Sequence, residues 1–200
     1  MTAKPVKLAV LFSGSGRTLK NFLEKIQAGQ LAVEICAAVS SRRNVRGVEV
    51  ARSAGLPCGI FARKDYPDPA AHNAAINAWL APHGPQLIAL AGYLCFYMPP
   101  EGFQGPVVNI HPALLPRHGG QGFYGDKVHQ AVLAAGDRQS GCTVHLVSDR
   151  YDEGRILDQA VVPVLPGDDV STLAQRVFSA ECELYPRVLS RLAEELRQAE

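Results

Sequence analysis

Asn109 and His111 stand two positions apart in the run Val107-Val108-Asn109-Ile110-His111-Pro112-Ala113-Leu114-Leu115-Pro116. The β-branched residues before them predict the end of a strand, and Pro112 stops it. Side chains at i and i+2 of an extended chain share a face, so the amide and the imidazole project together. An amide donor beside a titratable imidazole suits a reaction that develops negative charge on a carbonyl oxygen. The same residues also read as a strand entering a Pro-rich turn, with Asn109 capping the turn and His111 merely exposed. A second candidate is the acidic loop Ser148-Asp149-Arg150-Tyr151-Asp152-Glu153-Gly154. Its carboxylates read either as solvated turn residues or as a partner that holds His111 and raises its pKa.

The third candidate is Ser13-Gly14-Ser15-Gly16-Arg17-Thr18, after an apolar run and before a helical pattern. Glycines there permit a tight turn, and the N–H groups of a helix start can hold a phosphate. The segment carries no GK[ST], and Leu19 stands where a dinucleotide fingerprint needs its third glycine. A phosphomonoester on a small ligand fits better than a dinucleotide; a plain connecting turn is the alternative. His145 alternates with Thr143 along a strand and reads as a satisfied structural histidine rather than a catalytic one. His72, His83, His118 and His129 are expected at the surface.

The elements that must position these residues alternate between strand and helix. Strands are predicted at 6–12, 32–40, 57–61, 86–91 and 106–110, with helices at 17–28, 46–54 and 69–82. Short connections between them indicate an α/β fold with a doubly wound, mostly parallel sheet and a Rossmann-like N-terminal half. The second part changes character. A helix at 125–135 precedes strands at 141–147 and 156–164, which flank the acidic loop. A long helix at 169–197 carries Leu173, Val177, Leu184, Val188, Leu192 and Leu196 on one face, with Asp168 or Asp169 as its cap. Residues 117–126 (RHGGQGFYGD) form a Gly-rich insertion long enough for a functional loop.

Composition limits the partners. The 200 residues carry Lys+Arg 20 against Asp+Glu 19, a formal net charge of +1. That balance leaves no electrostatic footprint for nucleic acid or an anionic membrane. Five cysteines without a CxxC pair, Cys36, Cys58 and Cys142 among them in apolar runs, read as reduced thiols of a cytoplasmic protein. No metal-ligand spacing occurs, and the N-terminus lacks the apolar run of a signal peptide.

Together SGSGRTL at 13–19, LAGY at 90–93, NIHPALLP at 109–116, SGCTVH at 140–145 and DEG at 152–154 resemble the folate-dependent formyltransferases. The resemblance runs from about residue 6 to residue 195. It implies a single formyltransferase domain over 1–200, with a phosphate-binding half at about 1–105 and a folate-binding, catalytic half at about 106–200. It implies transfer of the formyl group of 10-formyltetrahydrofolate to the amine of glycinamide ribonucleotide in purine synthesis, with no metal. Asn109, His111 and Asp152 match the catalytic trio. Gly14, Gly16, Arg17 and Thr18 match the substrate-phosphate loop, and Glu181 matches a ribose-binding glutamate. Leu94, Cys95, Phe96 and Tyr97, with Ser148, Asp149, Arg150, Tyr151 and Asp152, match segments lining the folate pocket, which Asn109 also meets.

Three features depart from the family pattern. Leu94-Cys95 replaces the usual Met-Arg, Arg17-Thr18 replaces a serine and an asparagine, and the 117–126 loop is longer, a candidate lid. Relatives acting on initiator tRNA carry a further C-terminal domain and deformylases an extra N-terminal one; neither is expected here. Small molecules are the expected partners, without nucleic acid or membrane, and a homodimer is a candidate state. A formate-releasing hydrolase with the same trio, or a non-catalytic nucleotide-binding module, are the competing readings.

Overall fold

The first strand, β1 (Val6–Phe12), shows why a parallel sheet forms: six of its residues are buried and only Lys7 is partly open. A run apolar on both faces belongs inside a sheet covered on both sides. The computed structural model describes residues 4–199. They form two compact units, one running to Val107 and taking in the chain from Leu189 on, the other Val108–Val188.

In the first unit, β1 pairs in parallel with β2 (Val33–Ser40) and β4 (Leu87–Leu90), and β2 with β3 (Cys58–Ile60). Helices α1 (Arg17–Gln27), α2 (Arg46–Ser53) and α3 (Pro69–Leu80) supply the crossovers. The start of α3 is dictated locally: Asp68 accepts a hydrogen bond from the Ala71 N–H at 2.8 Å, and Pro69 takes the first helical position. His72 lies inside, not at the surface. It shares the buried face of α3 with Ile76 and Leu80, four and eight residues on, and its Nε2 is 2.9 Å from the Phe61 carbonyl.

In the second unit, β5 (Val107–His111), β6 (Gln139–Leu146) and β7 (Ile156–Pro163) pair antiparallel, with α4 (Asp126–Ala134) before β6. Among the described residues, these pairings are thus parallel in the first unit and antiparallel in the second. The long helix α5 (Val170–Gln198) begins at a reciprocal cap: Asp169 Oδ1 accepts from the Thr172 N–H at 2.8 Å, and Thr172 Oγ1 accepts from the Asp169 N–H at 2.9 Å. Asp168 instead forks onto Arg176 and accepts from the Leu165 N–H. In α5, Leu173, Val177, Leu184, Tyr185 and Val188 are buried, and Tyr185 donates to the Val108 carbonyl at 3.0 Å. His129 is a second correction: it sits on the inner face of α4 between Val128 and Val132 and is 4% exposed. All five cysteines are free thiols.

Candidate active site

Strand β5 ends on Asn109, Ile110 and His111, and antiparallel pairing sets Asn109 opposite His145 and His111 opposite Thr143. The two-residue spacing does bring the amide and the imidazole to one side. Asp152 meets both. Its Oδ2 lies 3.3 Å from His111 Nδ1, and its Oδ1 accepts from Asn109 Nδ2 at 3.5 Å. The carboxylate is placed by backbone geometry that is costly away from a site: Asp152 has φ 58, a left-handed conformation rare for residues other than glycine. Gly154 allows the loop to pass so close to β6 that a Cβ there would lie 1.6 Å from the Leu146 carbonyl oxygen.

His145 joins the cluster, against the expectation of a purely structural role. Its Nε2 lies 3.1 Å from Asn109 Nδ2 and 3.4 Å from Asp152 Oδ1, while its Nδ1 sits 2.9 Å from the Leu146 carbonyl. It orients the amide and the carboxylate rather than facing them from outside. The alternation of β6 could place His145 only on a face; the register with β5 decided what it meets. The backbone N–H of Gly120, from the Gly-rich insertion, also donates to Asp152 Oδ2 at 3.0 Å. Sequence reasoning had no signal for that bond.

His111 is 3% exposed. Burial pushes its pKa below the ordinary imidazole value; the nearby Asp152 carboxylate and the His118 carbonyl oppose that shift without cancelling it. The raised pKa expected from a carboxylate neighbour is thus corrected, because desolvation outweighs the ion pair. Burial works the other way on Asp152, but the His145 ring, the charge of His111 and the Gly120 N–H hold its carboxyl below the usual range. An anionic Asp152 beside a proton-accepting imidazole is the resulting pair.

Of the other acidic-loop residues, Asp149, Arg150, Tyr151 and Glu153 lie open and Ser148 is half-buried. Ser148 Oγ exchanges hydrogen bonds with the backbone of Arg150, Arg150 pairs with Glu153 at 3.3 Å, and Tyr151 is 40% exposed. Glu181 is half-buried in α5. Burial, helped by the Glu181 charge, pushes the Cys142 thiol up to about 12.

The first unit holds the other predicted residues. Gly16 caps α1 at φ 72, and no side chain caps the first turn. Its N–H groups and the helix dipole are the elements an anion would use. A Cβ on Gly16 would lie 2.6 Å from Gly47 Cα, and the Gly47 N–H donates to the Gly14 carbonyl at 3.1 Å, so the loop is packed against α2. Arg17 is exposed and Thr18 half-buried. Ser13 ties this loop to the 94–97 segment: its Oγ accepts from the Leu94 N–H at 2.8 Å and also bonds Ser41. Leu94 is open, and Cys95 and Phe96 are half-buried. Tyr97 instead turns inward, is 1% exposed, and donates its hydroxyl to Asn77 at 2.8 Å.

The decisive comparison covers both units. A model of the family described as formyl transferase matches residues 6–189. The chain belongs to the formyl transferase family. It is 40% identical over 199 residues to a chloroplastic phosphoribosylglycinamide formyltransferase of Vigna unguiculata, covering 98% of this chain. The chain spans 63% of the length of that plant relative. It is 33% identical to the phosphoribosylglycinamide formyltransferase of Haemophilus influenzae, covering 94% of this chain and 87% of that one. Among solved structures, glycinamide ribonucleotide transformylase 1 of Symbiobacterium toebii matches with a TM-score of 0.87 at 35% identity, over 96% of this chain and 89% of that chain. The fold of this chain is thus that of the solved transformylase. Among its described residues no group of acidic, cysteine or histidine side chains could hold a metal ion, and no helix is long and apolar enough to cross a membrane.

Proposed function

We propose that the protein transfers the formyl group of 10-formyltetrahydrofolate to the amine of glycinamide ribonucleotide. The observation that carries this reading is the buried cluster in which Asp152 reaches Asn109, His111 and His145 at once. The reaction begins when the substrate amine attacks the formyl carbon. Negative charge develops on the formyl oxygen, and the Asn109 amide is the donor for it. The imidazole of His111 accepts the proton that the amine releases, and Asp152 stabilises the imidazolium so formed. Collapse expels the folate nitrogen, which takes that proton back. The amine is a sufficient nucleophile once positioned, so the chemistry needs neither a metal nor a covalent enzyme intermediate.

The Gly14–Thr18 turn is the candidate cradle for the substrate phosphate, with Arg17 adding a charge, and Glu181 is the candidate ribose contact. Leu94–Phe96 and Ser148–Asp152 are the candidate folate contacts; the inward turn of Tyr97 argues against a direct contact from that ring. Small-molecule substrates account for the site, and the balanced charge favours no nucleic-acid partner. A cytoplasmic location and a homodimer remain parts of this proposal.

The test is incubation of the protein with both substrates, following tetrahydrofolate release and the mass of the formylated product. Asn109→Ala lowers turnover about 100-fold, the scale of a lost oxyanion donor, with the fold intact by circular dichroism. Formate release at full rate without the ribonucleotide assigns the protein to the hydrolases instead, and near-wild-type turnover in Asn109→Ala removes the proposed role of that amide.

A further inference from the structure

His111 has a second neighbour besides Asp152. Its Nε2 lies 2.8 Å from the backbone carbonyl oxygen of His118. A carbonyl can only accept, so Nε2 carries a proton in this arrangement and Nδ1 is the nitrogen left to exchange one. The position of that carbonyl rests on the His118 backbone, which has φ 54, the only positive φ besides that of Asp152 among the described residues other than glycine. A left-handed histidine needs something to hold it.

The holder is Asp137, in the turn between α4 and β6. Its Oδ2 lies 2.7 Å from His118 Nε2, and its Oδ1 accepts from Arg117 Nη2 at 2.6 Å. One carboxylate therefore clamps two consecutive side chains. The His118 ring, foremost among its neighbours, holds the Asp137 carboxyl below its usual range. The residues that follow are equally constrained. A Cβ on Gly119 would lie 2.4 Å from Leu115 Cδ2, and Gly120 donates to Asp152. Residues 117–120 thus supply the acceptor for one nitrogen of His111 and a donor to the carboxylate facing the other.

We propose that His118 and Asp137 are positioning residues, which hold the His118 carbonyl against His111 Nε2 and so make Nδ1, facing Asp152, the nitrogen that gains and loses the proton in formyl transfer. The inference rests on the formyl-transfer reading for its catalytic consequence; the proton placement on His111 is independent of it. The charged and titratable groups facing His111 are Asp152, His145 and His118, with His129 approaching from α4; those facing His118 are Asp137 and His111, and Arg117 pairs with the same Asp137 carboxylate.

The experiment compares three variants. His118→Asn tolerates a left-handed backbone but is too short to reach Asp137. His118→Gln places an amide nitrogen near the lost Nε2 and keeps the bond. Asp137→Ala removes the acceptor altogether. Ring-nitrogen NMR of His111 reads which nitrogen carries the proton, and steady-state kinetics reads the consequence. In wild type and His118→Gln the Nε2–H form predominates. In His118→Asn and Asp137→Ala the Nδ1–H form gains population, and kcat falls about tenfold with both KM values little changed, the pattern of a displaced catalytic group.

A wild-type His111 spectrum in folded His118→Asn and folded Asp137→Ala overturns the proposal. So does equal loss of activity in His118→Asn and His118→Gln. The expected spectral change in a protein that transfers no formyl group upholds the positioning and overturns the functional reading alone.

Discussion

Replacing Asp152 by Asn keeps the shape of the side chain and an oxygen for the Gly120 N–H, but removes the charge 3.3 Å from His111 Nδ1. At that separation a unit charge pair is worth about 5 kcal/mol at an effective dielectric of 20 and about 1 kcal/mol in bulk water. An interaction of that size raises the His111 pKa, in opposition to burial. The site is enclosed, with the Asp152 side chain 10% exposed, which favours values above the lower bound. Burial already outweighs this contribution, and without Asp152 only the His118 carbonyl opposes it. The His111 pKa in Asp152→Asn therefore falls further below the ordinary value. The imidazolium then appears only at lower pH, and the acid limb of any residual turnover moves down with it. Titration followed by His111 ring NMR reads the shift directly. A His111 titration unchanged from wild type would refute the argument that Asp152 acts through its charge.

Two further outcomes follow from the packing. Gly16→Val combines a left-handed φ of 72 with a Cβ 2.6 Å from Gly47 Cα, and is expected to cost at least about 2 kcal/mol of unfolding free energy. Gly14→Ala, whose Cβ meets nothing within 4 Å, leaves stability close to wild type; denaturant unfolding compares the two, and equal losses would contradict the close-approach argument. Stability also falls on mild acidification. Burial lowers the pKa of His111 and His129, so the folded state binds their protons less readily than the unfolded chain. Their contribution is full above the unfolded value of about 6.5 and is lost as pH drops through the folded values. His129→Gln flattens the fall of Tm between neutral and mildly acid pH; an unaltered slope would mean that His129 does not contribute.

Much of this protein was legible in its sequence because the signals are local. The apolar run Val6–Phe12, the Gly-rich turn after it and the spacing of Leu173, Val177 and Leu184 each state an element within a few residues, since strand and helix periods are properties of a short chain segment. The pairing of Asn109 with His111 is local in the same sense. What only the tertiary structure decided involves residues distant in the chain. Register between β5 and β6 brought His145 onto Asn109, and a turn before β6 supplied Asp137 to His118. Neither contact has a period or a motif to announce it. The direction of the His111 pKa belongs to the same class. A carboxylate neighbour can be inferred from a motif, but the desolvation that outweighs it is a sum over every element packed around the ring, and that sum exists only in the folded chain.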